Sequence, residues 1–346
     1  MANSGPDTTN PHDTNRTPGG SSCGSAAAVA DFQVPISLGS QTGGSVIRPA
    51  SFTGIFAMKP THNIIPTEGS KSFSPTFDTL GFFARSLEDL QLVADVFALE
   101  DDESPTNVLL EPISVALVKT PMWPRAGPGT VAAMEKAAGI LRDNGVDVHE
   151  VSLPKELGDL QTLKEVQEVI MSGEARAAFL REYMVDKAQL DPEIAALVEN
   201  SGKYSRKQMI QALDSYAAMR PIADWFAGGY AAIITPSAVD EAPLGLDDMG
   251  SPAFNTLWTV SISTSQNASN SELMVFQGLH MPVINIPAFV GQHGMPVGLS
   301  LVAGRYQDRQ LLRVATTLSE PLMAQGGWKK LGAPSQATPH VTVPSW

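Results

Sequence analysis

Two short loops built almost wholly of small residues constrain this chain more than any other feature. They are Gly19-Gly20-Ser21-Ser22-Cys23-Gly24-Ser25 and Gln41-Thr42-Gly43-Gly44-Ser45. Residues this small let the backbone take positive φ and approach another group closely. Between the loops, Ala26-Ala27-Ala28-Val29-Ala30 reads as a helix start with Ser25 as its N-cap. Val34-Pro35-Ile36-Ser37-Leu38 reads as a short buried strand. That strand delivers the second loop, whose consecutive N–H groups are placed to form an anion-binding nest. Two serine loops brought together by one strand supply the parts of an acyl-transfer site: a nucleophile, a proton relay and oxyanion donors.

The pieces GGSSCGS and TGGSVIRPASFTGIFAMKPT, with twenty-four positions from Ser21 to Ser45, resemble the amidase signature family. The resemblance implies that Ser45 is the acylating nucleophile and that Ser21, after a cis peptide bond from Gly20, is the relay serine. It also implies an oxyanion hole from the N–H groups of Thr42, Gly43, Gly44 and Ser45, with Ser22 in the same oxyanion and substrate-binding set. The family's third member is a lysine upstream of the first loop, kept neutral by burial, which takes the proton relayed through the cis serine. Here the chain departs from the pattern. No lysine occurs before Lys59, and only twenty residues precede Ser21. By analogy with Ser-His-Asp sites, losing one member costs on the order of 10⁴-fold. Little or no amidase activity is therefore expected of the chain as written. Lys59 matches the structural Lys59-Pro60-Thr61 element, and His12 matches the run into the glycine loop. Neither is expected to stand in as the base.

Bulk properties narrow the classes further. A chain of 346 residues, 43% hydrophobic and 17% charged, has the composition of a globular protein able to bury a large core. Its net charge of −13 argues against nucleic acid or an anionic membrane surface as partner. The single cysteine, Cys23, excludes an intramolecular disulfide and fits a reducing compartment, so a cytoplasmic location is expected. Its place in the first serine loop reads as a small loop residue and not as an activated thiol. Neither a signal peptide nor an eighteen-residue apolar run is readable. No clustered Cys/His set, P-loop or dinucleotide fingerprint is present, so no metal or organic cofactor is implied.

Taken in order, residues 1–14 are polar and read as a tail. The resemblance begins around Asn10, so residues 1–9 read as a replacement for lost upstream sequence. Ser74 to Gly81 reads as a turn-rich loop. Ser86 opens a helix as N-cap, with acids in the first turn. A strand at 113–118, a helix at 130–144 stopped by Gly145 and a strand at 146–151 give a β-α-β alternation. Residues 160–226 are helical, with breaks near Asp191-Pro192 and Ser201-Gly202. In the family this region shapes the acyl pocket. Strands follow at 230–236, around 278–287 and at 294–302. The last helix is expected from Asp308 to Leu318, with a loosely ordered tail after Pro321. Residues 260–277, VSISTSQNASNSELMVFQ, interrupt a family-matching join between Thr259 and Gly278. Their ends can be encoded as a splice donor and acceptor, so they read as a retained intron. If they are instead translated as a true insertion, a surface loop is expected.

The expected fold is thus α/β: an amidase-signature domain over 10–320, a mixed twisted β-sheet core surrounded by helices, with its N-terminal part missing. The expected function is hydrolysis of a small-molecule carboxamide or ester through an acyl-serine intermediate, with room for a homo-oligomer. Two alternatives stand beside it. One is a non-catalytic scaffold that keeps the pocket without the base. The other is the amidotransferase component that amidates misacylated tRNA, which shares the signature.

Overall fold

The computed structural model describes residues 7–105, 112–157, 160–255 and 278–329. The segment 256–277, which contains the expected insertion, lies outside the described residues. Eight strands form one mixed sheet: β1 (Ile36–Gln41), β2 (Phe56–Lys59), β3 (Thr79–Ala84), β4 (Ser114–Val118), β5 (Asp147–Val151), β6 (Ala232–Pro236), β7 (Val283–Val290) and β8 (Pro296–Val302). Their spatial order is β1-β3-β2-β7-β8-β6-β4-β5. β4 is parallel to both β5 and β6, as a β-α-β connection requires. The remaining pairs are antiparallel. The helices are α1 (Cys23–Ala30), α2 (Ile47–Thr53), α3 (Leu87–Val96), α4 (Pro128–Asp143), α5 (Leu160–Asp186), α6 (Pro192–Val198), α7 (Arg206–Ala227) and α8 (Asp308–Gly326). No helix among the described residues is long and apolar enough to cross a membrane.

Alternation along the strands sorts the core into two sides. Met58, Phe82, Ile284, Ile286, Leu299 and Leu301 pack with apolar residues of α3, α4 and α8. The intervening residues turn the other way. Ala57 and Phe83 meet α1 and α2, while Val283, Val302 and Ile233 meet Ile47 and the α7 residues Tyr216 and Ala223. The serine-loop helices and the long helices therefore share one side of the sheet, where a site has walls on several sides.

Several local expectations change. α1 begins at Cys23 with Ser22 at its N-cap, and neither Ser22 nor Ser25 caps it through its side chain. Ser25 lies inside the helix, and its Oγ donates to Leu38 O at 2.8 Å. The strand expected at 34–38 runs from Ile36 to Gln41 and is the outer strand of the sheet. Leu38 is 48% exposed, so the apolar run there is not a buried strand. The loop expected at 74–81 gives way to β3 at Thr79. At the N-terminal end, Asn10 is fully buried, and its side-chain amide donates to Thr17 O and Phe52 O. α8 runs past Pro321 to Gly326, and Trp328 is buried against Gly54, with its indole N–H donating to Gly54 O at 3.3 Å. By contrast, Ser86 caps α3 as expected, accepting from Asp89 N.

Candidate active site

The second serine loop is the link between β1 and α2, and it is tied from both ends. Gln41, the last residue of β1, is fully buried. Its Oε1 accepts from Val46 N at 2.7 Å and Ile47 N at 2.9 Å. These are N–H groups that a helix start leaves without intrahelical partners, and α2 has no side-chain cap of its own. At the other end, Thr42 Oγ1 donates to Asp78 Oδ1 at 2.5 Å. A Cβ on Gly44 would fall 3.2 Å from the Asn255 side-chain nitrogen and from Pro252, so the loop lies tight against the segment entering the 256–277 region.

The first loop carries a cis peptide bond between Gly20 and Ser21. Over it lies Met249: a Cβ on Gly20 would sit 2.4 Å from the Met249 sulfur, so a larger residue there would have to push that flexible side chain aside. The two loops are joined directly. Ser22 N donates to Ser45 O at 3.2 Å, and Ser22 Oγ to Ser40 O at 3.4 Å. This brings Ser21, Ser22, Thr42, Gly43, Gly44 and Ser45 into one locality. Ser45 is buried and Ser21 half-buried.

Charge is placed beside them. Arg48, three residues beyond Ser45 in α2, is buried and donates through Nη2 to Gly20 O at 2.5 Å. Burial pulls its pKa down to about 10, opposed by Asp248, so it remains a cation at neutral pH. A fixed positive charge in this position favours negative charge developing nearby.

Lys59 is fully buried at the end of β2, and its Nζ donates to Pro60 O at 2.9 Å. Burial lowers its pKa to about 7, with Asp308 pulling the other way. Next to it the His62 and His280 rings lie 4.1 Å apart. Burial, then Lys59 and Arg220, push His62 down to about 4, so it stays neutral. His12 sits at the opposite end of α2 from Ser45, where Nε2 donates to Thr53 O at 2.8 Å.

Three residues of this locality were not singled out from the sequence: Gln41, Arg48 and Asp78. Arg48 left a readable signal. A basic residue in the first turn of a helix opposes the helix dipole, and such a choice points to a local role. Gln41 and Asp78 act through a loop whose path only the fold reveals.

A family model described as Amidase matches residues 2–312. The A subunit of the Glutamyl-tRNA(Gln) amidotransferase of Gloeobacter violaceus is 29% identical over 340 residues, covering 89% of this chain and 68% of that protein. Its counterpart from Lactobacillus delbrueckii subsp. bulgaricus is 30% identical, covering 89% of this chain and 69% of that protein. A solved amidase structure superposes with a TM-score of 0.72 at 25% identity, covering 92% of this chain and 69% of that one. The first two relatives are named for an enzyme of tRNA, so they do not support the expectation that nucleic acid plays no part. Beside the joined serine loops, the family match across residues 2–312 shows that the chain belongs to the amidase family.

Proposed function

We propose that this chain carries the acyl-transfer half of an amide- or ester-cleaving site, with Ser45 as nucleophile and Ser21 as relay. The observation that carries the reading is the backbone bond from Ser22 N to Ser45 O, which joins the cis-serine loop to the nucleophile loop. In this mechanism Ser45 Oγ attacks the substrate carbonyl carbon and passes its proton to Ser21 Oγ. The carbonyl oxygen becomes an oxyanion facing the N–H groups of the 42–45 loop, with the Arg48 cation nearby. Collapse expels the amine or alcohol, and water then releases the acid from Ser45.

The Ser21 proton must pass on to a base. Lys59 has the depressed pKa of one, but its nitrogen is bonded to Pro60 O within the sheet. Among the described residues, no side chain hydrogen bonds to Ser21 Oγ. With the relay ending at Ser21, slow turnover is the expected consequence. The test is steady-state release of arylamine and phenol from small aryl amides and aryl esters, by the parent and by Ser45→Ala. The reading expects weak release that Ser45→Ala abolishes, esters ahead of amides because phenolates leave more readily. Fast release that survives Ser45→Ala would overturn it. Tight binding of substrate amides with no Ser45-dependent release would favour a scaffold that keeps only the pocket.

A second reading is favoured by the relatives named as components of a tRNA amidotransferase. In it, the same acyl-serine step works inside a complex, and partner proteins bring the tRNA to a chain whose own net charge is −13. Copurification of defined partner proteins with a tagged chain, followed by a glutaminase assay, separates this reading from free-standing hydrolysis.

A further inference from the structure

Asp78 stands outside the serine loops, yet its carboxylate meets the one loop that must be held still. Thr79, its neighbour, is paired with Gln41 at the last register position between β1 and β3. Thr42 and Asp78 thus leave the sheet side by side, and Thr42 Oγ1 donates to Asp78 Oδ1 at 2.5 Å. The other carboxylate oxygen is fully engaged elsewhere. Oδ2 accepts from Ser72 Oγ at 2.8 Å, Phe73 N at 2.6 Å and Ser74 N at 2.9 Å. Asp78 is itself buried, so these are bonds made in a setting where a lost partner is costly.

The segment so organised is anchored a second time. Glu174 of α5 accepts from Ser74 Oγ at 2.5 Å, Thr76 Oγ1 at 2.5 Å and Thr76 N at 3.1 Å. On its far side, Thr76 O accepts from His280 Nε2 at 2.8 Å. Residues 72–78 therefore form a bracket. Asp78 fastens it to the Thr42 loop, Glu174 to α5, and His280 to the segment entering β7. A hydroxyl tied to a carboxylate held by three further donors has little freedom to turn. Gly43, Gly44 and Ser45 follow directly in the chain on this pinned residue.

We infer that Asp78 is a positioning residue, which fixes Thr42 so that the 43–45 amides point at the reacting carbonyl oxygen. The inference rests on the acyl-Ser45 reading for its consequence in catalysis, and on geometry alone for the pinning. The bracket thus links α5 to the Thr42 loop through Glu174 and Asp78.

The test uses the full chain and five forms: parent, Thr42→Val, Thr42→Ser, Asp78→Asn and the Thr42→Val/Asp78→Asn double variant. Amide hydrogen exchange is followed by mass spectrometry in peptides covering 41–46, with α8 peptides as an internal control. Thr42→Val removes the single bond and spares the other three, so it remains informative if Asp78→Asn fails to fold. Exchange at 43–45 is expected to rise about tenfold in Thr42→Val and in Asp78→Asn, the size of one net hydrogen bond. The double variant should be no faster than the faster single, because both lose the same Thr42–Asp78 bond. Thr42→Ser, which keeps the hydroxyl, should exchange like the parent. α8 should be unchanged throughout. Parent-like exchange at 43–45 in Thr42→Val, or effects that multiply in the double variant, would overturn the inference. Aryl ester hydrolysis adds the catalytic arm: kcat should fall about tenfold in Thr42→Val with KM within twofold. A parent with no hydrolysis at all but with the expected exchange pattern would sink the acyl-Ser45 reading while supporting the pinning.

Discussion

Lys59 is the residue whose chemistry is most at odds with its surroundings. Its pKa falls from 10.5 to about 7 because burial penalises the ammonium more than Asp308 supports it. Between those values the unfolded chain holds a proton that the folded chain has shed. Stability from this residue therefore rises with pH across that window, and below about pH 7 the penalty is constant and largest. Lys59→Met should accordingly gain Tm relative to the parent as pH is lowered from 9.5 to 6.5, by something on the order of 3–6 °C. Thermal unfolding at the two pH values checks this, and a gain that grows toward high pH would refute it. Gln41 gives a second residue-scale case. Its side-chain oxygen serves two buried N–H groups at the start of α2. Gln41→Leu leaves both without that acceptor and should cost about 2–4 kcal/mol. Denaturant unfolding measures it, and a loss below about 0.5 kcal/mol would mean the loop finds other partners.

At the scale of elements, the C-terminal end of α8 does more than the sequence suggested. Pro321 reads as a stop, because proline removes an intrahelical bond and crowds the preceding turn. Yet Leu311, Leu312, Val314, Ala315, Leu318 and Leu322 are all buried on one face. That apolar stripe continues through the proline, and packing decides the helix length. The chain then places Trp328 beside His12, their rings edge-to-face at 4.7 Å, and over Gly54 at the end of α2. Residues near both ends of the described chain thus clasp the helix whose other end follows the Ser45 loop. Trp328→Ala should destabilise by about 3 kcal/mol, as removal of a buried aromatic does, and equilibrium unfolding tests it. β1 shows the complementary limit. Its apolar run signalled burial, but edge position depends on the order of strands, which no local pattern states. The serine loops were legible because small residues at fixed spacing are a local signal. The bracket through Asp78 was not, because its bonds to Thr42 and Glu174 cross 36 and 98–100 positions of sequence.

At the scale of the whole molecule, the parallel β4–β5 pair and the helical 160–226 region followed from alternation and period, and the mixed sheet joined them as the family resemblance implied. The outer position of β1, with Leu38 48% exposed and Val34 just before the strand 36% exposed, leaves apolar side chains at a sheet edge. Ser22 and Ser25 hydroxyls already engage two of its carbonyls, which blunts that edge in part. Concentration-dependent association is the expected result, reduced by Leu38→Lys, and light scattering across a dilution series decides it. A monomer at every concentration would remove the edge from consideration.

The proposed acyl transfer requires Ser45 to be a competent but weakly activated nucleophile. Incubation with a fluorophosphonate, followed by intact-mass and peptide mapping, addresses that claim most directly. A single adduct on Ser45 is expected, formed over hours, absent from Ser45→Ala and slower in Ser21→Ala. An adduct on any other residue, or rapid labelling unaffected by Ser21→Ala, would contradict it.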